Sequence, residues 1–408
     1  MAFDLEPDAL GPTLSFVHDT SLRGLAARFR ARFAAEPRLF SAPGRVNLIG
    51  EHTDYNDGFV LPMAIDSRTY VAAAARSDRR FRVHSEEMNE LIEFDLDVPP
   101  HARRGLWGDY VEGTARSLEK RKMPVTGADL WIRSDIPPGA GLSSSAALEV
   151  AVGYALLRLR DPSEPDRRKL ALAAQAAEHE YVGTLCGIMD QLIVALATRD
   201  HALSIDCRSL ETRPIPLRLG SLRIVICDTT VRHELATSEY NARRAECQKG
   251  VAVLAHLDPE IRSLRDVSEA LLTRGEPLLQ RETFRRCRHV VREIGRTIAA
   301  TSALEAGNFA DFGELMKASH ASLRDDYEVS CPELDAAVET AASVPGVYGA
   351  RMTGGGFGGS AIALVEEASI PFLLERVELH SRKEFGLVPK FFTVAQPSEG
   401  VCEHAIHD

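Results

Sequence analysis

The sequence has few cysteines and no spacing that would join them. Its 408 residues include seven cysteines, an odd number, with no Cys-x-x-Cys pair. This pattern argues against a disulfide framework and against a thiolate metal cage. We therefore expect buried free thiols and a cytoplasmic protein, because a reducing compartment keeps thiols unpaired.

Long apolar runs and long basic runs are also missing. The longest apolar stretch, Ala146 to Leu157, is interrupted by Glu149 and is too short to span a bilayer. Residues 1–12 carry early acidic side chains and no basic start before an apolar segment, so we expect no secretory signal. The formal net charge of -11 and the lack of a basic tail argue against nucleic acid as a partner. The sequence predicts a protein without a membrane or nucleic-acid role.

What is present is the composition of a globular protein of two or three domains, with 45% hydrophobic and 26% charged residues. Pro214, Pro216 and Gly220 mark a linker, so we divide the chain into domains 1–210 and 211–408. Hydrophobic periodicity predicts helices at 22–33, 168–182, 188–198 and around 234–249, and strands at 45–49, 59–65, 69–75, 81–85, 222–227 and 361–365.

A glycine-rich loop, Gly139 to Ser145, leads directly into a helical pattern. Glycines let backbone N–H groups approach an anion closely, and the free amides of a helix N-terminus add positive charge. The loop could cradle phosphates, and Ser145 could supply a hydroxyl to a magnesium ion. An ordinary helix entry with serine caps is the alternative. It is not a Walker motif, because no Gly-Lys-Ser/Thr follows.

Two acidic residues in predicted helices, Glu178 and Asp190, have no distinctive spacing of their own. Asp190 lies in the first turn after Gly187, where the helix dipole stabilises a carboxylate, so that position alone favours capping. Taken alone, Glu178 is interpreted as a solvated helix charge. Only a fold that brings the two together would favour catalysis.

Residues 45–54, Arg-Val-Asn-Leu-Ile-Gly-Glu-His-Thr-Asp, place carboxylates and a histidine around one turn. Such acceptors suit sugar hydroxyls, and solvated turn residues are the alternative. The spacing around His52 matches no zinc pattern. Further on, Gly354 to Gly359 precede a strand rather than opening a helix, which excludes a dinucleotide fingerprint. We expect a tight turn that packs against a neighbouring loop or ligand.

Taken in order, these segments resemble the galactokinases, within the GHMP small-molecule kinases that include homoserine, mevalonate and phosphomevalonate kinases. The resemblance covers the length of the chain and rests on residues 44–56, 139–147, 186–191, 238–241 and 354–359. It implies an α+β, two-lobed fold with the active site in the cleft between the lobes. It also implies that ATP and galactose give ADP and galactose 1-phosphate, with Mg²⁺ as cofactor. We expect the protein to be a monomer or a weak oligomer.

The resemblance further implies roles for individual residues. Asp190 matches the catalytic carboxylate, as a base or as an orienting group, and Arg45 matches the arginine beside it. Ser145 and Glu178 match the magnesium ligands. The sugar-contacting positions are Glu51, His52, Thr53, Asp54, Gly187 and Tyr240. The ATP-binding positions are Gly139, Ala140, Gly141, Leu142, Ser143, Ser144 and Ser145.

Two alternatives remain at this stage. The first is a kinase for N-acetylgalactosamine, although Thr53, Asn56 and Gly58 look closer to the galactokinases. The second is a non-catalytic galactose and ATP sensor. Such sensors lose a serine–alanine pair from the phosphate loop, whereas residues 144–147 keep that loop at full length.

Overall fold

Three β-sheets and the helices that pack on them form the part of the chain that this computed structural model describes, residues 21–100, 103–232 and 236–405. The expectation about a secretory signal falls on residues 1–12 and lies outside these ranges. The strands are β1 Arg38–Asn47, β2 Phe59–Val60, β3 Pro62–Ala75, β4 Arg80–Ser85, β5 Glu90–Asp95, β6 Ala128–Ser134, β7 His201–Asp206, β8 Thr212–Pro216, β9 Leu222–Asp228, β10 Val347–Thr353, β11 Ser360–Glu366, β12 Lys390–Val394 and β13 Cys402–His404. The helices are α1 Leu22–Phe33, α2 Gly108–Lys120, α3 Ser144–Arg160, α4 Arg167–Ala177, α5 Met189–Leu196, α6 Ala236–Leu254, α7 Glu269–Gly275, α8 Arg281–Glu305, α9 Phe309–Ser322, α10 Pro332–Ala342 and α11 Ile370–Phe385.

The first sheet has six strands in the order β13-β1-β3-β6-β4-β5, and only the β4–β6 pair in it is parallel. The second sheet has the order β10-β11-β9-β12, and the third joins β2, β7 and β8. Mixed helices and sheets confirm the predicted α+β class.

We call the part built on the six-stranded sheet the first lobe and the part built on the sheet β10-β11-β9-β12 the second lobe. Helix α3 packs against β1 and β3 at the centre of the first lobe. Small side chains allow this close approach: Ala146, Ala147 and Ala151 are fully buried on it. Gly153 also has a packing role, since a Cβ there would lie 2.6 Å from a methyl of Leu170. The phosphate-loop candidate therefore ends on a rigid, buried helix.

The predicted elements agree with the observed ones in kind and differ at their ends. Helix α1 has the predicted bounds, and the Ser21 side chain caps it by accepting from the N–H of Gly24 at 3.1 Å. The helix predicted over 168–182 is α4 followed by a π-helical turn, Glu178–Val182. The strand predicted over 59–65 is divided into β2 and the start of β3, and β3 continues without a break through the separate strand predicted over 69–75.

The end of the chain returns to the first lobe. Strand β13 pairs with β1, and Glu403 accepts two hydrogen bonds from Arg38, at 2.7 and 2.8 Å. The predicted domain boundary between residues 210 and 211 stays a prediction. The last strand, β13, belongs to the second predicted domain but pairs with β1 of the first.

In the part of the chain that the structure describes, no helix combines the length and apolarity needed to cross a bilayer. All seven cysteines are free, four of them buried and three, Cys186, Cys331 and Cys402, partly exposed. The prediction of unpaired thiols is confirmed, while the prediction that all are buried is wrong for these three.

Candidate active site

A polar cavity of about 150 Å³ lies where the first lobe meets α6 and the β10–β11 turn. Eight of the predicted site residues line it: Arg45, Glu51, His52, Asp54, Glu178, Gly187, Asp190 and Tyr240. Thr184, Cys186, Met189, Gly354 and Gly355 complete the wall. Segments far apart in the sequence thus converge on one cavity.

At the floor of the cavity, Arg45 from β1 holds Asp190 in the first turn of α5. Its Nε and Nη2 donate to Asp190 Oδ1 and Oδ2 at 2.8 and 2.7 Å. The hydroxyl of Ser143 donates to Asp190 Oδ2 at 2.5 Å. The Arg45 side chain is 6% exposed and that of Asp190 is 25% exposed, so the carboxylate is fixed but still accessible. Asp190 does more than cap a helix, because its carboxylate oxygens contact Arg45 and face the cavity.

The phosphate-loop candidate adjoins this pair. Arg45 Nη1 donates to the carbonyl oxygen of Gly141 at 2.6 Å. Ser143 precedes α3 with a φ of 61° and does not cap it with its side chain. The amides of the first turn of α3 therefore keep their capacity to bind an anion. The serine-cap alternative is wrong for Ser143, whose hydroxyl binds Asp190 instead.

The glycine-rich turn Gly354 to Gly359 packs on the phosphate-loop candidate, as expected of a tight turn. Ser360 Oγ donates to the carbonyl oxygen of Ala140 at 2.7 Å. A Cβ at Gly354 would lie 2.9 Å from the carbonyl oxygen of Gly141, and Gly354 has a φ of 84°. Only glycine meets both conditions, so this turn supports the loop from the second lobe.

Asp54 and Gly187 contact each other in the wall of the cavity. A Cβ at Gly187 would lie 1.7 Å from Asp54 Oδ2, so the carboxylate needs glycine there. Burial, and then the nearby Asp190 charge, raise the pKa of Asp54 to about 6. Asp54 is thus a hydrogen-bond acceptor that is ionised at neutral pH at some cost to stability.

His52 and Tyr240 form an aromatic wall beside Asp54, with ring centroids 5.4 Å apart. Burial, and then His289, lower the pKa of His52 to about 3, which keeps the ring neutral. Its Nδ1 is 2.8 Å from the Tyr55 hydroxyl. The backbone of Gly355, another residue of the cavity wall, also hydrogen-bonds the His52 ring. A neutral imidazole in a polar cavity wall can bind a hydroxyl group.

Glu51 and Thr53 have other uses in this structure. Glu51 forms an ion pair with the fully buried Arg351, and its Oε1 accepts from the Gly354 N–H at 3.1 Å. Burial raises the pKa of the Glu51 carboxyl, and Arg351 opposes this. Thr53 is fully buried, does not line the cavity, and donates to the carbonyl oxygens of Gly50 and Phe59 at 2.8 and 2.7 Å. The geometry thus directs Thr53 away from a substrate, which corrects its predicted role, and gives Glu51 a structural partner 300 residues away.

Glu178 is buried at the start of the π-helical turn, so the solvated-helix interpretation is wrong. Burial, and then Asp190, raise its pKa to about 7. Its Oε2 accepts from Gln191 Nε2 at 2.9 Å and from the Cys186 thiol at 3.4 Å. No hydrogen bond to Oε1 is found within the described ranges. Ser145, the other predicted magnesium ligand, lies in the first turn of α3 and does not line the cavity. Carboxylate and hydroxyl oxygens are ligand types that suit Mg²⁺, which prefers hard oxygen ligands.

The sequence analysis missed Arg232, which lies against the phosphate loop. Its Nη1 and Nη2 donate to Asp228 at 2.8 Å each, and its Nε donates to the carbonyl oxygen of Pro138 at 3.0 Å. A Cβ at Gly139 would lie 2.7 Å from Arg232 Cδ. The only signal in the sequence is an Asp and an Arg four residues apart after a strand, which is too common to single out a site.

Comparisons with known proteins agree with this arrangement. The chain matches the galactokinase galactose-binding signature over residues 27–75, the N-terminal domain of GHMP kinases over 109–198 and the GHMP kinase C-terminal domain over 300–381. The mevalonate kinase of Methanococcus jannaschii shares the fold, with a TM-score of 0.62 at 21% identity over 88% of this chain and 98% of that one. Fold and domains define the chain as a GHMP kinase.

Relatives narrow this class. The galactokinase of Chloroflexus aggregans is 53% identical over 350 residues, which cover 86% of this chain and 89% of that protein. The human galactokinase is 46% identical over 86% of this chain and 90% of its own length. A structure of Lactococcus lactis galactokinase complexed with galactose has a TM-score of 0.89 at 38% identity, covering 93% of this chain and 99% of that one. The chain belongs to the galactokinase family.

Proposed function

We propose that the chain transfers the γ-phosphoryl group of ATP to the anomeric hydroxyl of galactose, giving galactose 1-phosphate and ADP. The observation that carries this is the position of Asp190. Arg45 and Ser143 hold it between the sugar side of the cavity and the phosphate loop, and it remains partly exposed. A carboxylate so placed can meet a sugar hydroxyl while the loop holds the nucleotide.

On the sugar side, Asp54, His52 and Tyr240 bind galactose, and Gly187 leaves space for the Asp54 carboxylate. The ionised Asp54 accepts hydrogen bonds from sugar hydroxyls, and the neutral His52 ring in the cavity wall contributes a further polar contact. Asp190 then orients the anomeric hydroxyl, as a base or as an orienting carboxylate. This division of labour makes binding and chemistry separable by mutation.

On the phosphate side, the backbone of residues 139–145 and the first turn of α3 bind the ATP phosphates. Arg45 and Arg232 add positive charge close to that loop. Ser145 and Glu178 would hold a magnesium ion. When bound, Mg²⁺ neutralises charge on the phosphate oxygens during transfer.

The direct test is ADP release by the purified chain with ATP and Mg²⁺, measured with galactose, with N-acetylgalactosamine and without sugar. We expect release that depends on galactose and is at least about tenfold slower with N-acetylgalactosamine. Faster release with N-acetylgalactosamine would assign the larger sugar. Galactose binding without ADP release under any condition would assign the sensor function and overturn the enzyme.

We also propose that the protein is cytoplasmic, which the unpaired cysteines support, and that it is a monomer or weak oligomer. Sedimentation of the purified chain at increasing concentration is expected to give a 44.7 kDa species that at most associates reversibly. A stable higher oligomer at the lowest concentration would contradict this.

A further inference from the structure

A second carboxylate, Glu149 of α3, lies behind Glu178 and has no access to solvent. Its Oε2 accepts a hydrogen bond from Gln191 Nε2 at 3.3 Å. No partner for its Oε1 is found among the described residues. Burial of a carboxylate with a single neutral donor is costly, so a role for Glu149 should be visible in what that donor does.

The donor, Gln191, is fully buried and directly follows Asp190 in α5. Its Nε2 donates both to Glu149 and to Glu178, at 3.3 and 2.9 Å. An amide nitrogen has two hydrogens, and the two acids and the Cys186 sulfur, 3.7 Å away, share them. Gln191 Oε1 has no partner among the described residues. Turning the amide over would set this oxygen against Glu178 Oε2 and remove the donor from that carboxylate, so the present orientation is the one that satisfies Glu178.

The position of Glu149 on α3 connects this pair to the phosphate loop. Glu149 follows Ser145 by four residues, which places the two side chains on one face of the helix, one turn apart. The helix that carries the candidate hydroxyl ligand thus also carries the residue that anchors Gln191. Hydrogen bonds join Glu149, Gln191 and Glu178, and Ser145 lies one helical turn before Glu149.

We propose that Gln191, anchored by Glu149, is a positioning residue for the candidate magnesium ligand Glu178. This inference rests on the proposed function. The amide of Gln191 occupies Glu178 Oε2 and so leaves the other carboxylate oxygen for the metal. Glu149 prevents Gln191 from rotating away. Residues that orient a metal ligand in this way typically contribute about 10- to 100-fold to metal affinity.

The test is binding of Mn²⁺ as a probe for Mg²⁺, followed by electron paramagnetic resonance, to the full chain saturated with a non-hydrolysable ATP analogue. For Gln191→Met, which keeps the length but loses the amide, we expect about 10- to 100-fold weaker Mn²⁺ binding. Galactose affinity should change less than about threefold. For Glu149→Gln we expect near wild-type Mn²⁺ binding, because the new amide still accepts from Gln191 and can donate to its unpaired oxygen.

Gln175→Leu is the matched control, since Gln175 donates to the carbonyl oxygen of Cys186 at 3.3 Å and not to a carboxylate. Unchanged Mn²⁺ binding is expected there. Thermal unfolding reports whether each variant folds, and Gln191→Asn, with a shorter side chain, replaces Gln191→Met if that variant does not.

Glu178→Ala separates the two levels of the argument. If it binds Mn²⁺ as the wild type does, the proposed metal site itself fails. If it weakens Mn²⁺ binding while Gln191→Met and Gln191→Asn do not, only the positioning role is overturned. Equal weakening in Gln175→Leu and Gln191→Met would also overturn it, because the effect would then be a general one of lost polarity.

Discussion

Two arginine–carboxylate pairs lie within the same site and differ in what surrounds the carboxylate. In the pair Arg351–Glu51 both side chains are almost fully buried, at 0% and 2% exposure. In the pair Arg45–Asp190 the arginine is buried, but the aspartate is 25% exposed and faces the cavity.

The difference shows that an ion pair can serve structure or chemistry according to the lone pairs left free. Glu51 also accepts from the Thr353 hydroxyl and the Gly354 N–H, and so joins the sugar-binding turn to the glycine-rich turn of the second lobe. Asp190 is fixed by Arg45 and Ser143 on the protein side and remains open on the other. On this basis we propose chemistry for Asp190 and lobe assembly for Glu51.

The largest effect is expected for Asp190→Asn. The amide keeps the shape but neither carries the charge nor accepts the proton, so we expect turnover to fall by at least about 10³-fold. Turnover is measured as ADP release at saturating galactose and MgATP. Asp311→Asn, a first-turn acid on α9 that contacts Asn308, is the control and should leave turnover unchanged. A decrease below about tenfold in Asp190→Asn would return Asp190 to helix capping.

Arg351→Met should break the other pair. It leaves Glu51 buried without its cation, which typically costs about 3–5 kcal/mol of folding free energy. Urea unfolding measures this loss. Arg324→Met removes an exposed arginine that pairs with Asp325 and Glu339, and should cost less than about 1 kcal/mol. Similar losses in the two variants would contradict the structural role of Arg351.

Asp54→Asn should increase stability and weaken galactose binding. The folded pKa of Asp54, about 6, lies above its usual 3.8, so ionisation in the folded state costs stability that is fully lost above pH 6 and recovered toward pH 4. Because Asp54 is partly exposed, we expect a gain of about 1–2 kcal/mol at pH 8 that shrinks as the pH falls through 6. Thermal unfolding across this pH range measures it.

The same group predicts that wild-type galactose affinity falls below pH 6, as Asp54 becomes protonated, and that Asp54→Asn lacks this dependence. An Asp54→Asn variant that is less stable than the wild type at pH 8 would contradict the conclusion that ionisation of Asp54 costs stability.

The smallest effect is expected for Thr53→Val. Its hydroxyl donates only to backbone carbonyls of the turn, so its loss should cost about 1–2 kcal/mol of stability and leave the KM for galactose within about twofold. Thr53→Ser keeps the hydroxyl and should retain stability. A tenfold rise in KM with unchanged stability would restore Thr53 as a sugar contact.

The elements and segments that carry a local signal could be predicted from the sequence. The amphipathic helix α1, the glycine-rich entry to α3 and the first-turn position of Asp190 follow from periodicity, glycines and helix-end chemistry within a few residues. The resemblance of five ordered segments gave the fold class and the family. The roles of the site residues remain predictions that the geometry supports in most cases.

Long-range pairing could not be predicted in this way. Nothing in the spacing of Glu51 indicates Arg351, and the burial of Glu178 depends on α2 packing on its π-helical turn and on Gln191 of α5. The three-residue strand β13 is too short for a periodic signal, although it completes the first sheet. Each of these depends on tertiary contacts, which local patterns in the sequence do not reveal.

In the proposed mechanism Asp190 acts in the chemistry and not in sugar binding. The most direct measurement is calorimetric titration of galactose into Asp190→Asn saturated with a non-hydrolysable ATP analogue. We predict a dissociation constant within about threefold of the wild-type value, in a protein that has lost its turnover. Loss of galactose binding by the same factor as turnover would contradict the claim.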